Sequence, residues 1–129
     1  MCLSWLFGRR CERERAKVVE EARRAPFLDG VFLLHHCNTD SRRWWPDPKP
    51  PEITPEEVFG TFDSRAYAEA LERVRKMRSD ASYTGMAYFR YEHVNHTYAQ
   101  ARKLLRTEHP GFSERSYELA TGAAITDMR

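Results

Sequence analysis

The sequence has none of the short motifs that identify an enzyme or a cofactor site. Its 129 residues contain no HExxH, no CxxC, no phosphate-binding glycine loop, no dinucleotide fingerprint and no nucleophile elbow. Each of these motifs places reactive or ligating groups at a fixed spacing, so its absence removes the sequence basis for that chemistry. We therefore expect no catalytic residue, no cofactor and no metal, and we predict that the protein is not an enzyme.

Cysteine is scarce, and the bulk charge is small. Cys2, Cys11 and Cys37 are an odd number of cysteines and lack the spacing of a disulfide framework. This pattern favours free thiols in a reducing, intracellular compartment. A net charge of +2 is too small to hold a polyanion through overall charge, so any basic function has to come from a local patch.

Long hydrophobic runs are absent as well. The apolar stretch from Cys2 to Phe7 is far too short to cross a bilayer, and it precedes the first arginines, which is the reverse of a secretory signal. We predict no transmembrane segment. Residues 1–8 are instead predicted to form an apolar N-terminal hook, with Trp5 and Phe7 as its anchors. Shallow membrane insertion, or acylation of Cys2, is the alternative for this hook.

Helical periodicity dominates the rest of the chain. Apolar residues recur at spacings of three and four, and Thr54 followed by Pro55 has the pattern of a helix start. We predict a mainly α protein, a single domain over 1–129, built as a small helical bundle with a C-terminal αα-hairpin. The predicted helices are 9–25, one that begins at Pro26 and ends at Asn38, a short one after Thr54, one capped by Asp63 or Ser64, 86–107, and one after Ser113.

One alternative fold is open. The run VFLLHH at 31–36 is also typical of a short buried strand, and the only segment able to pair with it is 83–91. If both segments were strands, the protein would belong to the α+β class. The helical spacing that continues from Ala87 to Leu105 favours the mainly α fold.

Two adjacent tryptophans and five prolines lie in the connector 38–55. Prolines hold a segment extended and reduce the entropy lost when it is ordered. We predict that these residues form an extended Trp-Pro arm lying along another surface. Adjacent side chains of an extended segment point in opposite directions, so we expect one of Trp44 and Trp45 to point inward and the other outward.

These features predict a non-enzymatic interaction protein, an accessory, structural or adaptor subunit that docks on a larger protein assembly. Tryptophan and arginine are the residues most enriched in interface hot spots. The predicted partner-binding residues are Trp5, Phe7, Arg42, Arg43, Trp44 and Trp45. The first alternative is a nucleic-acid-binding protein that uses the Arg/Trp arm and the basic residues of the N-terminal helix. Acidic residues interleave with those basic residues, which is instead typical of a solvated helix face.

The second alternative is a histidine-based metal-binding protein. His93 and His96 are three positions apart on a predicted helix, with His109 near its end, and His35, His36 and Cys37 form another group. Zinc requires three or four ligands, so either group needs a carboxylate from elsewhere in the fold. Asp40, Glu92 and Glu108 are the candidates.

Overall fold

A computed structural model of the chain describes residues 2–90 and 98–127, and among them the side chains of 8–82, 100 and 102–123. These residues form α-helices, short helical turns and loops, with no strand in the described part. The mainly α prediction is therefore confirmed. The helices are α1 (Cys2–Arg24), α2 (Phe27–His36), α3 (Pro55–Phe59), α4 (Ser64–Arg90), α5 (Tyr98–Glu108) and α6 (Glu114–Asp127).

The α+β alternative is wrong. Residues 31–36 lie in α2, and the described part of 83–91 lies in α4. The run at 31–36 is continuously apolar because the helix is buried on nearly every side: Val31, Phe32, Leu33 and Leu34 are all inaccessible to solvent or almost so. A helix that is apolar all round occupies the interior of its unit, and a short apolar run of this kind does not distinguish a helix from a buried strand.

The chain divides into two compact units, Met1–Ala68 and Glu69–Arg129. Whether these two units belong to the single domain predicted over 1–129 is not decided by this division, so the single domain remains a prediction. In the first unit α1 and α2 form a helical hairpin, and α3 packs against both. The two helices of the hairpin approach each other closely at Gly30, where a Cβ atom would lie 2.9 Å from the carbonyl oxygen of Ala22 and 2.9 Å from the ring of Phe59.

The first part of the predicted extended arm is helical. After α2 the backbone makes a π-helical turn at Cys37–Ser41 and a 3₁₀ turn at Arg42–Trp44, and the extended course begins at Trp45. Backbone hydrogen bonds form these turns: the N–H of Arg42 donates to the carbonyl of Cys37, and the N–H of Trp45 donates to the carbonyl of Arg42. The prolines that favour extension begin only at Pro46.

The predicted helix starts at Thr54 and Asp63 are confirmed. The hydroxyl group of Thr54 accepts a hydrogen bond from the backbone N–H of Glu57, whose carboxylate accepts one from the N–H of Thr54, so the two residues form a reciprocal capping box. Asp63 caps α4 by accepting from the backbone N–H of Arg65 at 2.9 Å. The polypeptide turns sharply between the two helices at Gly60, whose φ of 64° favours glycine.

The second half of the chain forms the predicted hairpin with different boundaries. Residues 86–90 continue α4 from Ser64, so the helix does not begin at Met86 as predicted, because a single glycine such as Gly85 costs a helix only about 1 kcal/mol and does not end it. Residues 91–97 lie outside the described residues. The helices α5 and α6 pack against each other in the second unit, with Leu105 and Tyr117 fully buried.

Candidate functional site

The two ends of the Trp-Pro arm (residues 38–55) are joined by one side chain. The amide group of Asn38 donates to the carbonyl of Ile53 at 2.9 Å, and its oxygen accepts from the N–H of Ile53 at 2.8 Å. Ile53 is itself buried. Asn38 therefore pairs with Ile53 as a neighbouring strand would, and it closes the arm into a loop that returns to α2.

Trp45 anchors the middle of the arm to α1. Its side chain is 7% exposed, and its indole N–H donates to the carboxylate of Glu14 at 3.2 Å. This bond satisfies the single donor of a buried indole. Trp45 is thus bound to the protein's own first unit, although we had predicted that it would contact a partner.

Arg15 ties the end of the arm to α1 and α3. Its guanidinium group donates to the carbonyls of Pro51 at 2.7 Å and Glu52 at 3.0 Å, and to both carboxylate oxygens of Glu57 at 2.6 and 2.9 Å. The hydrogen bond from Arg15, ahead of the capping contacts with Thr54, lowers the pKa of the Glu57 carboxyl group. One side chain therefore fixes three segments of the first unit.

Arg42 also has an internal role. Its guanidinium Nε donates to the carbonyl of Pro50 at 3.0 Å, while Lys49 donates to the carbonyl of Arg43 at 3.3 Å. These two bonds cross the loop in opposite directions. Arg42 consequently holds the arm together, whereas it was predicted to lie at the rim of a partner interface.

Trp44 lies on the outer side of the arm. Its side chain is 74% exposed, and the guanidinium group of Arg43 lies over its ring at 4.9 Å from the ring centre. The expectation of one tryptophan inward and one outward therefore agrees with the observed burial of Trp45 and exposure of Trp44. The stacked pair of Trp44 and Arg43 presents an aromatic face and a positive charge together.

A cleft of about 400 Å³ lies beside this arm, between its prolines and the N-terminal turns of α1. Gly8, the last residue of the predicted hook, is in its wall, and the charged residues Arg9, Glu12 and Asp47 are too. The fold thus places the end of the predicted hook next to the arm, although the two are about 40 residues apart in sequence. The remaining wall residues are Pro46, Pro48 and Pro50.

The hook itself is helical in its backbone, since α1 begins at Cys2. The side chains of Trp5 and Phe7 lie outside the described residues. Their predicted anchoring role, and the hook over 1–8, remain predictions.

Basic residues of α1 are paired with acidic ones. Arg10 lies 3.4 Å from Glu14, and Arg23 and Arg24 lie 3.3 and 3.5 Å from Glu20. These contacts follow the interleaving seen in the sequence. Together with the Arg15–Glu57 pair, they reduce the positive potential that α1 could offer to a phosphate backbone.

The thiols of Cys11 and Cys37 are buried and not joined by a disulfide. Burial raises the pKa of Cys37 to about 11, and burial also raises the pKa of Cys11. Thiols protonated in this way are poor nucleophiles and poor metal ligands. The Nδ1 atom of His36, the neighbour of Cys37, lies 3.3 Å from a carboxylate oxygen of Asp40.

A second set of polar groups meets in the other unit. Asp80 of α4, Glu108 at the end of α5 and His109 directly after it place their ligand atoms within 4.8 Å of one another. Glu108 and His109 were already candidates from the sequence. Asp80 was not, because it is 29 positions from His109 and no local spacing connects them. His93 and His96 lie outside the described residues.

An aromatic cluster was also missed. Phe59 lies 4.8 Å from Phe27, 6.3 Å from Phe62 and 6.4 Å from Tyr67, measured between ring centres. Phe27 remains 38% exposed, and the other three rings are half-buried. Four aromatic residues spread over 40 positions gave no periodic signal.

Protein-family models, curated proteins and solved structures were compared with the chain, and none of them matches it. Across the described residues, no helix combines the length and the apolar character needed to span a membrane.

Proposed function

We propose that the protein is a non-enzymatic accessory or adaptor subunit that docks on a larger protein assembly through the outer side of its Trp-Pro arm. One observation carries the proposal. Trp44 exposes three quarters of its surface, while Trp45 beside it is buried and hydrogen-bonded. A large exposed indole on a well-held backbone is the kind of group that anchors protein interfaces.

The arm is organised before any partner arrives. Asn38, Arg15 and Arg42 bind three backbone carbonyls in its last third, those of Ile53, Pro51 and Pro50. The ordering entropy of such a segment is lost during folding and not during association, which favours affinity. This supports a docking role for Trp44 more strongly than its exposure alone would.

The neighbouring cleft supports the same role. It is lined by prolines on one side and by Arg9 and Glu12 on the other, so it offers apolar walls with both signs of charge. An extended segment of a protein partner fits such a surface better than a small substrate does. We propose that Trp44 and Arg43 contact the partner beside this cleft.

A nucleic-acid partner is less well supported. Stacking of Trp44 on a base is compatible with its exposure, but the binding of a phosphate backbone needs several available cations. The ion pairs of Arg10, Arg15, Arg23 and Arg24 with glutamates weaken that potential. The protein partner is therefore the proposal, and nucleic acid is an outcome that the experiment distinguishes.

The test is a quantitative affinity capture from cells that naturally make the protein, performed with the wild-type chain and with Trp44→Ala, each with and without nuclease. We expect a fixed set of proteins that resists nuclease and moderate salt. Loss of an anchoring tryptophan costs about 2 kcal/mol, so Trp44→Ala should weaken their binding roughly 30-fold.

The matched control is Phe27→Ala, because Phe27 is the other exposed large apolar residue in the part of the chain with described side chains. It should leave the same set of partners in place. If Trp44→Ala retains them with unchanged affinity, the docking role of Trp44 is wrong. If nuclease removes them all from the wild type, the partner is a nucleic acid.

A further inference from the structure

Two carboxylates and an imidazole converge in the second unit. The Nε2 atom of His109 lies 2.5 Å from the Oδ2 atom of Asp80, and a carboxylate oxygen of Glu108 is within 4.8 Å of both. The Asp80 side chain is 48% exposed, that of His109 is 16% exposed and Glu108 is exposed, so the group is accessible to solvent. Ions and water can reach it without a change of fold.

The backbone that carries two of these ligands is held in place. The N–H of His109 donates to the carbonyl of Leu105 at 2.8 Å, and its own carbonyl accepts from the hydroxyl group of the buried Tyr117. The next carbonyl, that of Pro110, accepts from the guanidinium group of Arg73. The position of His109 is thus fixed from both α4 and α6, as the geometry of a metal site requires.

The position of the Glu108 carboxylate in this group is not explained by an ion pair. Asp80 and His109 already satisfy each other at 2.5 Å. Glu108 is exposed, and its carboxylate makes no hydrogen bond or ion pair in the described structure. A second carboxylate facing the Asp80–His109 pair adds negative charge that a cation would neutralise.

We propose that Asp80, Glu108 and His109 bind one divalent transition-metal ion of the Zn²⁺ class. One imidazole nitrogen with two carboxylate oxygens suits zinc and related ions, whereas Mg²⁺ and Ca²⁺ prefer oxygen ligands throughout. Two carboxylates balance the charge of the ion. Water or a donor from a partner completes the coordination.

The required movement is small. Two ligands on one tetrahedral zinc ion are ~3.3 Å apart, given metal–ligand distances near 2.0 Å. The Asp80 and His109 atoms therefore separate by less than about 1 Å. The half-exposed Asp80 side chain provides this by rotation, while His109 stays on its fixed backbone.

The experiment is a calorimetric titration of the untagged full-length chain with ZnCl₂ in a buffer that does not chelate zinc. We expect one ion per chain with a dissociation constant in the micromolar range or below. The informative variant is Glu108→Gln. Glu108 has no structural contact to lose, so this variant keeps the unfolding midpoint of the metal-free protein while binding zinc roughly tenfold more weakly or worse.

Asp80→Asn and His109→Gln should weaken zinc binding at least as much. The control is His36→Gln, which removes a histidine paired with a carboxylate in the first unit and should leave the affinity unchanged. The proposal is wrong if the wild-type chain binds no zinc, or if Glu108→Gln binds it as tightly as the wild type. It is also wrong if zinc binding is lost with His36→Gln or with a His93→Gln, His96→Gln double variant while Asp80→Asn retains it.

Discussion

Arg15 and Glu57 form a two-pronged ion pair that joins α1 to the capping box of α3. Both terminal nitrogens of the guanidinium group donate to the two carboxylate oxygens, at 2.9 and 2.6 Å. The Arg15 side chain is nearly buried, and it also holds the carbonyls of Pro51 and Glu52. This contact positions the end of the Trp-Pro arm, and through it the proposed docking surface around Trp44.

Loss of Arg15 should therefore destabilise the first unit substantially. We expect Arg15→Ala to lower the free energy of unfolding by about 2–3 kcal/mol, since it leaves four acceptor atoms without their donor. Arg15→Lys should recover only part of the loss because an ammonium group lacks the planar fork. Urea denaturation followed by circular dichroism measures both.

Arg10→Ala is the control for these variants. Arg10 is also paired with a glutamate on α1, but its side chain is 70% exposed. Its removal should change the stability by less than about 0.5 kcal/mol. If Arg10→Ala and Arg15→Ala lowered the free energy of unfolding equally, the stabilisation would come from the positive charges of α1 in general and not from the specific contacts of Arg15.

The same pair predicts how stability depends on pH. The hydrogen bond from Arg15 lowers the pKa of Glu57 in the folded protein below its unfolded value. A carboxyl group with a depressed folded pKa contributes stability that is complete above its unfolded pKa and is lost as pH falls through the folded pKa. The stability advantage of the wild type over Glu57→Gln should thus be constant near neutral pH and shrink in acid, below the usual pKa of a glutamate. A difference that instead grows in acid would contradict this assignment.

Local signals explain which parts of the fold were predictable. The first turns of α3 and α4 are capped by residues that directly precede them or begin them, namely Thr54, Pro55 and Asp63. The sequence alone therefore located where these two helices begin. The burial of Trp45 and the exposure of Trp44 agree with the prediction, although the extended backbone that it assumed begins only at Trp45. These features depend on neighbours a few residues away, where residue type and spacing carry the information.

Long-range contacts explain what was not predictable. Arg15 contacts Glu57 across 42 positions, and Trp45 contacts Glu14 across 31. Neither pairing produces a repeating pattern in the sequence. For this reason the arm was predicted to contact a partner, whereas part of it packs on α1. The candidate metal ligand Asp80 was missed for the same reason, although its neighbours Glu108 and His109 were noticed.

Close packing of the first hairpin predicts opposite effects for two glycines. A Cβ atom at Gly30 would lie within 3.0 Å of the Ala22 carbonyl oxygen and of the Phe59 ring. Because the first of these is backbone, Gly30→Ala should destabilise by about 1–3 kcal/mol. Nothing lies within 4 Å of a Cβ atom at Gly8, so Gly8→Ala should stabilise α1 by about 0.5–1 kcal/mol through helix propensity. Thermal unfolding compares them, and a stabilised Gly30→Ala variant would show that α1 and α2 are not so closely packed.

Burial of Cys37 predicts a thiol that reacts only when the first unit opens. Its side chain is almost inaccessible, and burial raises its pKa to about 11. At pH 8 about one thiol in a thousand is then ionised, and it is the thiolate that attacks an alkylating reagent. We expect iodoacetamide to label Cys37 at least about a hundredfold more slowly in the native protein than in urea, as followed by peptide mass spectrometry. Arg15→Ala, which loosens the arm that follows Cys37, should accelerate the native reaction. Rapid labelling of the native wild type would mean that the turn after α2 is open to solvent.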